Sequence, residues 1–316
     1  MRPHPIPYSR QQGVALITAI LLVAIATLIA AKLSWDNQIS IRRTETTLML
    51  EQARLFALGG EAVAIEYLLE DNNNYDYKND DYDWTLPIGP IAIGIEATIL
   101  GQMQGRLDDA QGRLNINNLV PDTANGDVYA QFERLFNTLD IDTSIIDALI
   151  DWIDTDTVPL ARGAEDGIYT GLDPGYRPAN NYFTRISELR AVKGIDALDA
   201  ETYNELLRHI TALHPDWCGA TPTPVNMNFA TAEVMAALDP GISLGQAEAW
   251  VEQRPGWQDI SEIGVPADTA AYVSVQTACL HLTVVVNVGS LVVSMYSLLD
   301  RSGNDIVTRV RAYGLD

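Results

Sequence analysis

The apolar and polar positions divide the chain into one long uninterrupted helix and a series of shorter blocks. Residues 14–31 carry no charge, and no proline follows them until residue 87. A helix that crosses a bilayer needs about 20 mainly apolar residues, which predicts a transmembrane segment over residues 14–33. Because proline would break the helix, its absence predicts that the same helix continues as a stalk over residues 34–70.

The outer half of the predicted stalk is amphipathic. Apolar residues recur there at intervals of three and four, which places them on one face of a helix. The sequence predicts that this stripe packs on the protein's own sheet rather than on a partner helix. The members of the stripe are Leu48, Leu55, Leu58, Ala62, Ile65 and Leu69.

Period-two alternation predicts strands on both sides of a block with helical spacing. Before the block, it covers residues 91–100, with a partner strand over residues 102–109. After the block, it covers residues 280–288, 291–299 and 306–312, separated by turns.

These blocks predict an α+β fold, in which the long N-terminal helix packs on a small antiparallel sheet. The sheet is predicted to be formed by residues 71–111 and 271–316. Residues 112–270 are predicted to form a large all-helical domain inserted between the strands.

The net charge of −22 reduces the number of possible functions. Phosphate binding needs lysines and arginines that displace counterions, so an excess of acid this large argues against a nucleic-acid partner. Two interpretations are left open, namely a solvated acidic surface or sites for a hard cation.

The densest acidic residues follow a predicted helix that ends near Asp154. Carboxylates this close repel each other, and a hard cation with six to eight oxygen ligands, such as calcium, removes the repulsion. We expect calcium to bind here, with a merely acidic surface as the alternative. The spacing is not that of an EF-hand. The expected ligands are Asp154, Asp156, Glu165 and Asp166.

The chain has two cysteines, Cys218 and Cys279. Behind an export signal, an even number of cysteines indicates a disulfide. The bond would close a loop of about 60 residues, for which the chain-entropy estimate is roughly 4 kcal/mol of stabilisation. Two independent buried thiols are the alternative.

No arrangement of residues typical of an active site is found. The four histidines, His4, His209, His214 and His281, are scattered and have no nucleophile elbow or metal-ligand spacing near them. A glycosidase would use paired carboxylates, but only three aromatic residues, Trp152, Tyr169 and Tyr176, stand near the acids. The chain is therefore predicted not to be an enzyme.

Residues 187–195 and 225–254 resemble helix-hairpin-helix modules. Such modules often hold the DNA backbone through hairpin amides and nearby lysines. The second hairpin carries Asp239 and lacks basic neighbours. We therefore predict that these modules pack helices between proteins rather than bind DNA.

The junction between the leader and the apolar helix resembles a prepilin signal. A short basic leader, residues 1–13, ends at Gly13 directly before the apolar run. In type IV pilins and type II secretion pseudopilins, a prepilin peptidase cuts after this glycine and methylates the new amino terminus, which would be Val14. The fifth residue after the cut is usually glutamate in this family, and here it is Thr18. A subunit without that carboxylate is not expected to be an ordinary repeated member of the fibre.

Over nearly its full length, the chain resembles the general secretion pathway protein K family, the minor pseudopilins of type II secretion. Besides Gly13, Val14 and Thr18, five segments carry the resemblance. They are residues 112–119 (GRLNINNL), 152–156 (WIDTD), 163–169 (GAEDGIY), 176–180 (YRPAN) and 225–230 (VNMNFA).

The resemblance implies a pilin-like fold with bound calcium, and it adds Asn180 to the expected ligands. It also implies a complex with two other minor pseudopilins that caps the periplasmic pseudopilus, helps to start its assembly and serves protein export. The implied further partners are the major pseudopilin, the prepilin peptidase and the inner membrane, which the chain crosses once with a cytoplasmic amino terminus and a periplasmic globular part. The alternative is a pilin-like protein of a DNA-uptake or type IV pilus system.

Overall fold

A computed structural model describes residues 12–71, 74–77, 84–95, 98–120, 126–254 and 256–314. Most of the predicted leader lies outside these residues. The chain forms two compact units, Met1–Ala53 and Arg54–Asp316. Helix α1, Gln12–Leu69, belongs to both, and its 58 residues correspond to roughly 87 Å at 1.5 Å per residue. Within the described residues, it is the one helix that is long and apolar enough to cross a membrane.

The remaining elements follow the predicted order of strands, helices and strands. The first strands are β1 (Ile88–Ile95), β2 (Thr98–Asp109) and β3 (Leu114–Asn115). The helical block contains α2 (Asp127–Thr138), α3 (Ile145–Ile153), α4 (Asp166–Tyr169), α5 (Ala200–His209), β4 (Ile210–Thr211), β5 (Val225–Asn226), α6 (Ala232–Leu238), α7 (Leu244–Gln253) and β6 (Val273–Ser274). The last strands are β7 (Cys279–Val288), β8 (Leu291–Asp300) and β9 (Val307–Tyr313).

The main sheet has five antiparallel strands in the order β1-β2-β7-β8-β9. The neighbouring strands β2 and β7, of which β7 is the central strand, are separated in sequence by the whole helical block, which is therefore an insertion into the sheet. The α+β prediction is confirmed. The first hairpin differs from its prediction because β1 covers Ile88–Ile95 and β2 already begins at Thr98, so that the run predicted as one strand is divided between two paired strands.

Helix α1 packs closely on the middle of the sheet, and the contact is made by small residues. A Cβ atom on Gly60 would lie 2.8 Å from Met103 Sδ and 2.9 Å from Val284 Cγ1. The neighbouring buried positions are Ala57 and Ala64. The helix therefore approaches the sheet backbone more closely than leucine side chains would permit.

The predicted apolar stripe was wrong as a core-facing stripe. Leu55 is 67% exposed and Leu69 is 49% exposed, and Ala62 is also exposed. Helix periodicity identifies an apolar face, but the close approach at Gly60 selects the face with small side chains. The larger apolar side chains consequently lie on the open side of the helix.

Glu61 is a buried acid on the sheet-facing side of α1, and the sequence pattern gave no sign of it. Its carboxylate accepts hydrogen bonds from Ser297, Thr308 and Arg311, with Thr308 Oγ1 at 2.9 Å and Arg311 Nε at 3.0 Å. Burial opposes ionisation, but these hydrogen bonds outweigh it and lower the pKa of Glu61. The charged pair fixes the helix against β8 and β9.

The insertion has its own core, which forms between α2, α3, α5 and α6. Its large, fully buried members include Tyr169, Phe132, Phe136, Phe183, Leu135, Ile146, Leu149, Leu189 and Leu206. The two short parallel ladders β3–β4 and β5–β6 connect distant parts of this block.

The insertion is joined to the sheet where β2 ends and β7 begins. Gln111 Oε1 accepts hydrogen bonds from the backbone N–H groups of Ala278 and Cys279. Cys279 forms a disulfide with Cys218, which lies in the insertion, and the two Cα atoms are 5.1 Å apart. The bond therefore connects the first residue of β7 to the helical block.

Replacing Gly59 and Gly60 separately with alanine is expected to have opposite effects. A Cβ on Gly59 meets nothing within 4 Å, so Gly59→Ala should stabilise the helix by about 0.5–1 kcal/mol. The same change at Gly60 overpacks the contact with Val284 and should destabilise the protein by about 1–3 kcal/mol. Chemical denaturation of the two variants measures both effects. Equal values for the two variants would contradict the close helix–sheet contact.

Candidate metal centre

Helix α3 places the acidic residues at a defined point of the insertion. All nine of its residues are buried, and the helix ends when the Asp154 N–H bonds to the Ile150 carbonyl at 2.8 Å. Asp154 itself has extended backbone, with φ −67° and ψ 167°. The chain after α3 therefore leaves the core at the first of the predicted ligands.

The loop after α3 is held by a buried carboxylate. Asp151 is fully buried on the last turn of α3, and its two oxygens accept from the Leu160 N–H at 3.1 and 3.2 Å. Gly163 packs directly on this carboxylate, and a Cβ at this position would overlap it. Glycine is therefore required at residue 163.

A lysine from a later segment of the chain also holds the loop after α3. Lys193 Nζ donates to the carbonyls of Arg162 and Gly163 at 3.2 and 3.0 Å. The residue pattern alone assigns no role at this site to Asp151 or Lys193. Asp151 was visible in the acidic run, whereas Lys193 is 37 residues beyond Asp156 and gave no signal.

Three acids meet at the end of this loop. One carboxylate oxygen from each of Asp154, Asp156 and Glu165 lies within 4.8 Å of the others. Glu165 is only 4% exposed, and both of its carboxylate oxygens are buried without a hydrogen-bond partner. Because a buried carboxylate is unfavourable unless paired or bound to a metal, Glu165 is the clearest indication of a cation at this point.

The electrostatics of the cluster agree with this interpretation. Burial, together with the charges of Asp151, Asp154 and Asp156, raises the pKa of Glu165 to about 7. Burial also raises the pKa of Asp154, and the charge of Asp156 adds to that effect. The loop therefore gathers negative charge that a divalent cation would neutralise.

Asn180 supplies a further oxygen beside the cluster. Its Nδ2 donates to the Asp156 carbonyl at 2.9 Å, and its Oδ1 is buried without a partner. The backbone of Asn180 has φ 44°, a conformation that asparagine tolerates better than most residues. Carboxylate and amide oxygens of this kind suit calcium.

Asp166 does not join the three clustered acids. Its carboxylate lies 3.9 Å from the Arg177 guanidinium at the first turn of α4. Consecutive residues such as Glu165 and Asp166 point in different directions, so one turns into the cluster and the other turns to the basic residue outside it.

The aromatic residues below the cluster belong to the core. Trp152 stacks on Phe183 at 6.1 Å and meets the edge of Tyr169 at 5.4 Å. Tyr169 is completely buried and Trp152 is 5% exposed. These two rings are therefore part of the core and are not available to stack on a sugar.

The helix-hairpin-helix-like segments use their polar groups inside the protein. Asp239 accepts from the Gly241 N–H and from Thr269 Oγ1, at 2.7 and 2.6 Å. Arg254 donates to the carbonyls of Asn228 and Ala230. These contacts stabilise helix packing within this chain.

Thr18 lies on the apolar part of α1. Its hydroxyl lies within hydrogen-bonding distance of the Val14 and Ala15 carbonyls, at 3.1 and 3.0 Å. These carbonyls satisfy the threonine hydroxyl within its own helix. The charge of a glutamate at this position would instead need a partner outside the helix.

Two family models described as "Type II secretion system (T2SS), protein K" match residues 112–216 and 225–276. Type II secretion system protein K of Pseudomonas aeruginosa is 33% identical over 96% of this chain and 92% of its own length. The protein of the same name from Pectobacterium carotovorum is 30% identical over 97% of each chain.

A chain in the crystal structure of the GspK-GspI-GspJ complex from the type 2 secretion system of enterotoxigenic Escherichia coli has the same fold. The TM-score is 0.71 at 24% identity, over 87% of this chain and all of that chain. A long N-terminal helix whose later part packs on one antiparallel sheet, with a helical insertion in that sheet, defines a pilin-like subunit. Within that class, this chain belongs to the type II secretion system protein K family, the minor pseudopilins. The predictions of the family and of a structural, non-enzymatic role are confirmed.

Proposed function

We propose that this protein occupies the tip of the periplasmic pseudopilus and helps to start its assembly. The observation that carries the proposal is the insertion between β2 and β7, which holds residues 110–278. Subunits along a fibre are covered by their neighbours on both sides, and an insertion of this size needs open space on one side. That space exists only at the end of the fibre.

Two features of α1 support this proposal. Thr18 stands where most pilin-like subunits are expected to carry the glutamate that pairs with a neighbouring amino terminus. Leu55, Ala62 and Leu69 leave an apolar face of the stalk exposed in the single chain. Such a face is typical of a surface that a partner covers. The protein therefore has the means to bind neighbours but lacks one contact used for repetition.

We propose that a prepilin peptidase removes residues 1–13 and methylates Val14. The basis is the glycine at residue 13 immediately before the apolar run of α1. After processing, residues 14–33 would span the inner membrane once, with the amino terminus cytoplasmic and the globular part periplasmic. The disulfide fits an oxidising compartment of this kind.

The proposed partners are two other minor pseudopilins, with the major pseudopilin below them. The structural relative of this chain was solved as a complex of GspK with GspI and GspJ. That composition belongs to the Escherichia coli proteins, and we transfer it to this chain as a proposal. The strongly acidic charge of the chain leaves nucleic acid out of this assembly.

We further propose that calcium binds at Asp154, Asp156 and Glu165, with Asn180 as an additional ligand. Asp166 and its Arg177 partner would then act at the edge of the site. The unpartnered oxygens of Glu165 and Asn180 support this assignment. A cation here would fix the long loop between α3 and α4.

Native mass spectrometry of the full chain, co-expressed with its two proposed partners and the peptidase, tests the assembly and the processing together. We expect one copy of each minor pseudopilin per complex. The mass of this subunit should equal residues 14–316 plus one methyl group. A complex with several copies of this chain would contradict the tip position, and an intact Met1 would contradict the processing.

A further inference from the structure

Arg42 and Arg43 form a small basic surface on α1, within the unit Met1–Ala53. Both side chains are exposed. In the part of the chain that the structure describes, neither guanidinium has a hydrogen bond or an ion pair, including with Glu45 on the next turn. Two adjacent arginines therefore face solvent without a partner.

Two observations make cations unexpected at the position of these arginines. All 42 acidic residues follow residue 33, but only 17 of the 20 basic ones do, since Arg2, Arg10 and Lys32 precede it. Under the positive-inside rule, lysines and arginines within about 15–20 residues of a membrane span also disfavour translocation of the segment that carries them. Membrane topology therefore does not account for an arginine pair at this place.

Distance from the membrane favours a protein partner over lipid headgroups. Arg42 lies nine residues beyond Leu33, which corresponds to about 14 Å of helix. The interfacial layer on one side of a bilayer is only about 5–8 Å thick. The arginine backbone therefore lies beyond the headgroup layer, so that only a side chain turned back toward the membrane reaches a headgroup. A protein anchored in the same membrane, in contrast, extends to the level of both guanidinium groups.

We propose that Arg42 and Arg43 bind an acidic stretch on the stalk of a second pilin-like subunit anchored beside this one. This inference rests on the proposed function because it requires that neighbour. Ile39, Thr46 and Leu50 lie on the same surface and present no charge, so a second helix can approach closely. The acids on the partner stand at a similar height, about 10–20 Å beyond the end of its own apolar segment.

The test uses the full chain, tagged and co-expressed with the two minor pseudopilins of its own secretion system, and purified in detergent. The amount of one partner recovered with the variant R42E/R43E is expected to be lower than with the unmodified chain by a factor of about ten or more, because like charges then face each other. R42K/R43K keeps the charge and should retain that partner. R106E/R208E changes the charge by the same amount at arginines that are 63% and 71% exposed outside the stalk, and it should also retain the partner.

The recovered complex should also weaken as the salt concentration rises from about 0.05 to 0.5 M, since ions screen exposed charges. Equal partner recovery by R42E/R43E and the unmodified chain would overturn the inference. Unchanged recovery combined with weaker binding of the variant to vesicles containing phosphatidylglycerol would also overturn it, in favour of a lipid role. If the unmodified chain itself retains no partner, the proposed function fails rather than this assignment.

Discussion

Replacing Cys218 and Cys279 by alanine is expected to lower the free energy of unfolding by about 4 kcal/mol. The bond closes a loop across a sequence separation of 61 residues, which in the chain-entropy account restricts the unfolded chain strongly. The bond also attaches the insertion to β7, so its removal acts on the connection between the two parts. Chemical denaturation followed by tryptophan fluorescence measures the loss.

Reduction provides the control for this prediction. A thiol reductant should bring the unmodified protein to the stability of the C218A/C279A variant and leave the variant unchanged. Both cysteines are buried, with exposures of 2% and 0%, so the reductant should act slowly below the unfolding transition. A variant as stable as the unmodified protein would show that the disulfide does not support the fold.

Replacing Glu165 by glutamine is expected to remove the stabilisation of the protein by calcium. A cation present at about 100 times its dissociation constant stabilises the folded state by about 2.7 kcal/mol. Glu165→Gln keeps the shape of the side chain but removes the buried charge that the cation neutralises. Thermal unfolding with calcium and with a chelator, for both proteins, measures the difference.

In the presence of the chelator, Glu165→Gln is expected to have the opposite effect on stability. Without a cation, the buried negative charge of Glu165 is unfavourable, because its pKa is raised to about 7 mainly by burial. Near pH 7.5, the glutamine variant should therefore be at least as stable as the unmodified protein. The matched control is Asp216→Asn, whose carboxylate is 87% exposed and lies outside the cluster; it should keep the calcium response. An unchanged calcium response in Glu165→Gln would refute the site.

The strands at the end of the chain were predicted closely because one physical rule decides them. Strict alternation with a turn at Gly289 predicted strands over residues 280–288 and 291–299, and the structure has Cys279–Val288 and Leu291–Asp300. The buried side chains of β7 alternate as the pattern requires. Here the alternation of apolar and polar residues in the sequence matches the alternation of side chains between the two faces of the sheet.

The contact between α1 and the sheet was not predictable in the same way. Hydrophobicity favoured the leucines at residues 55 and 69, but the sheet is approached by Ala57, Gly60 and Ala64 instead. Glu61 lies on that buried face because Arg311, 250 residues away in sequence, neutralises it. A single sequence gives no information on such a long-range charge pair.

The candidate metal centre was predictable in composition but not in its detailed geometry. The dense acids after α3 indicated a cation, and the structure brings Asp154, Asp156 and Glu165 together. Asp166 lies near Arg177 instead. The choice between two consecutive acids depends on tertiary contacts, which residue type and spacing do not encode.

We propose that this subunit stands only at the end of the pseudopilus, because the large insertion between β2 and β7 needs open space that a further subunit would fill. Electron microscopy of pseudopili labelled with an antibody against residues 112–270 tests the claim most directly. We expect label at one end of each fibre and none along its length. Label at regular intervals along the fibre would contradict it.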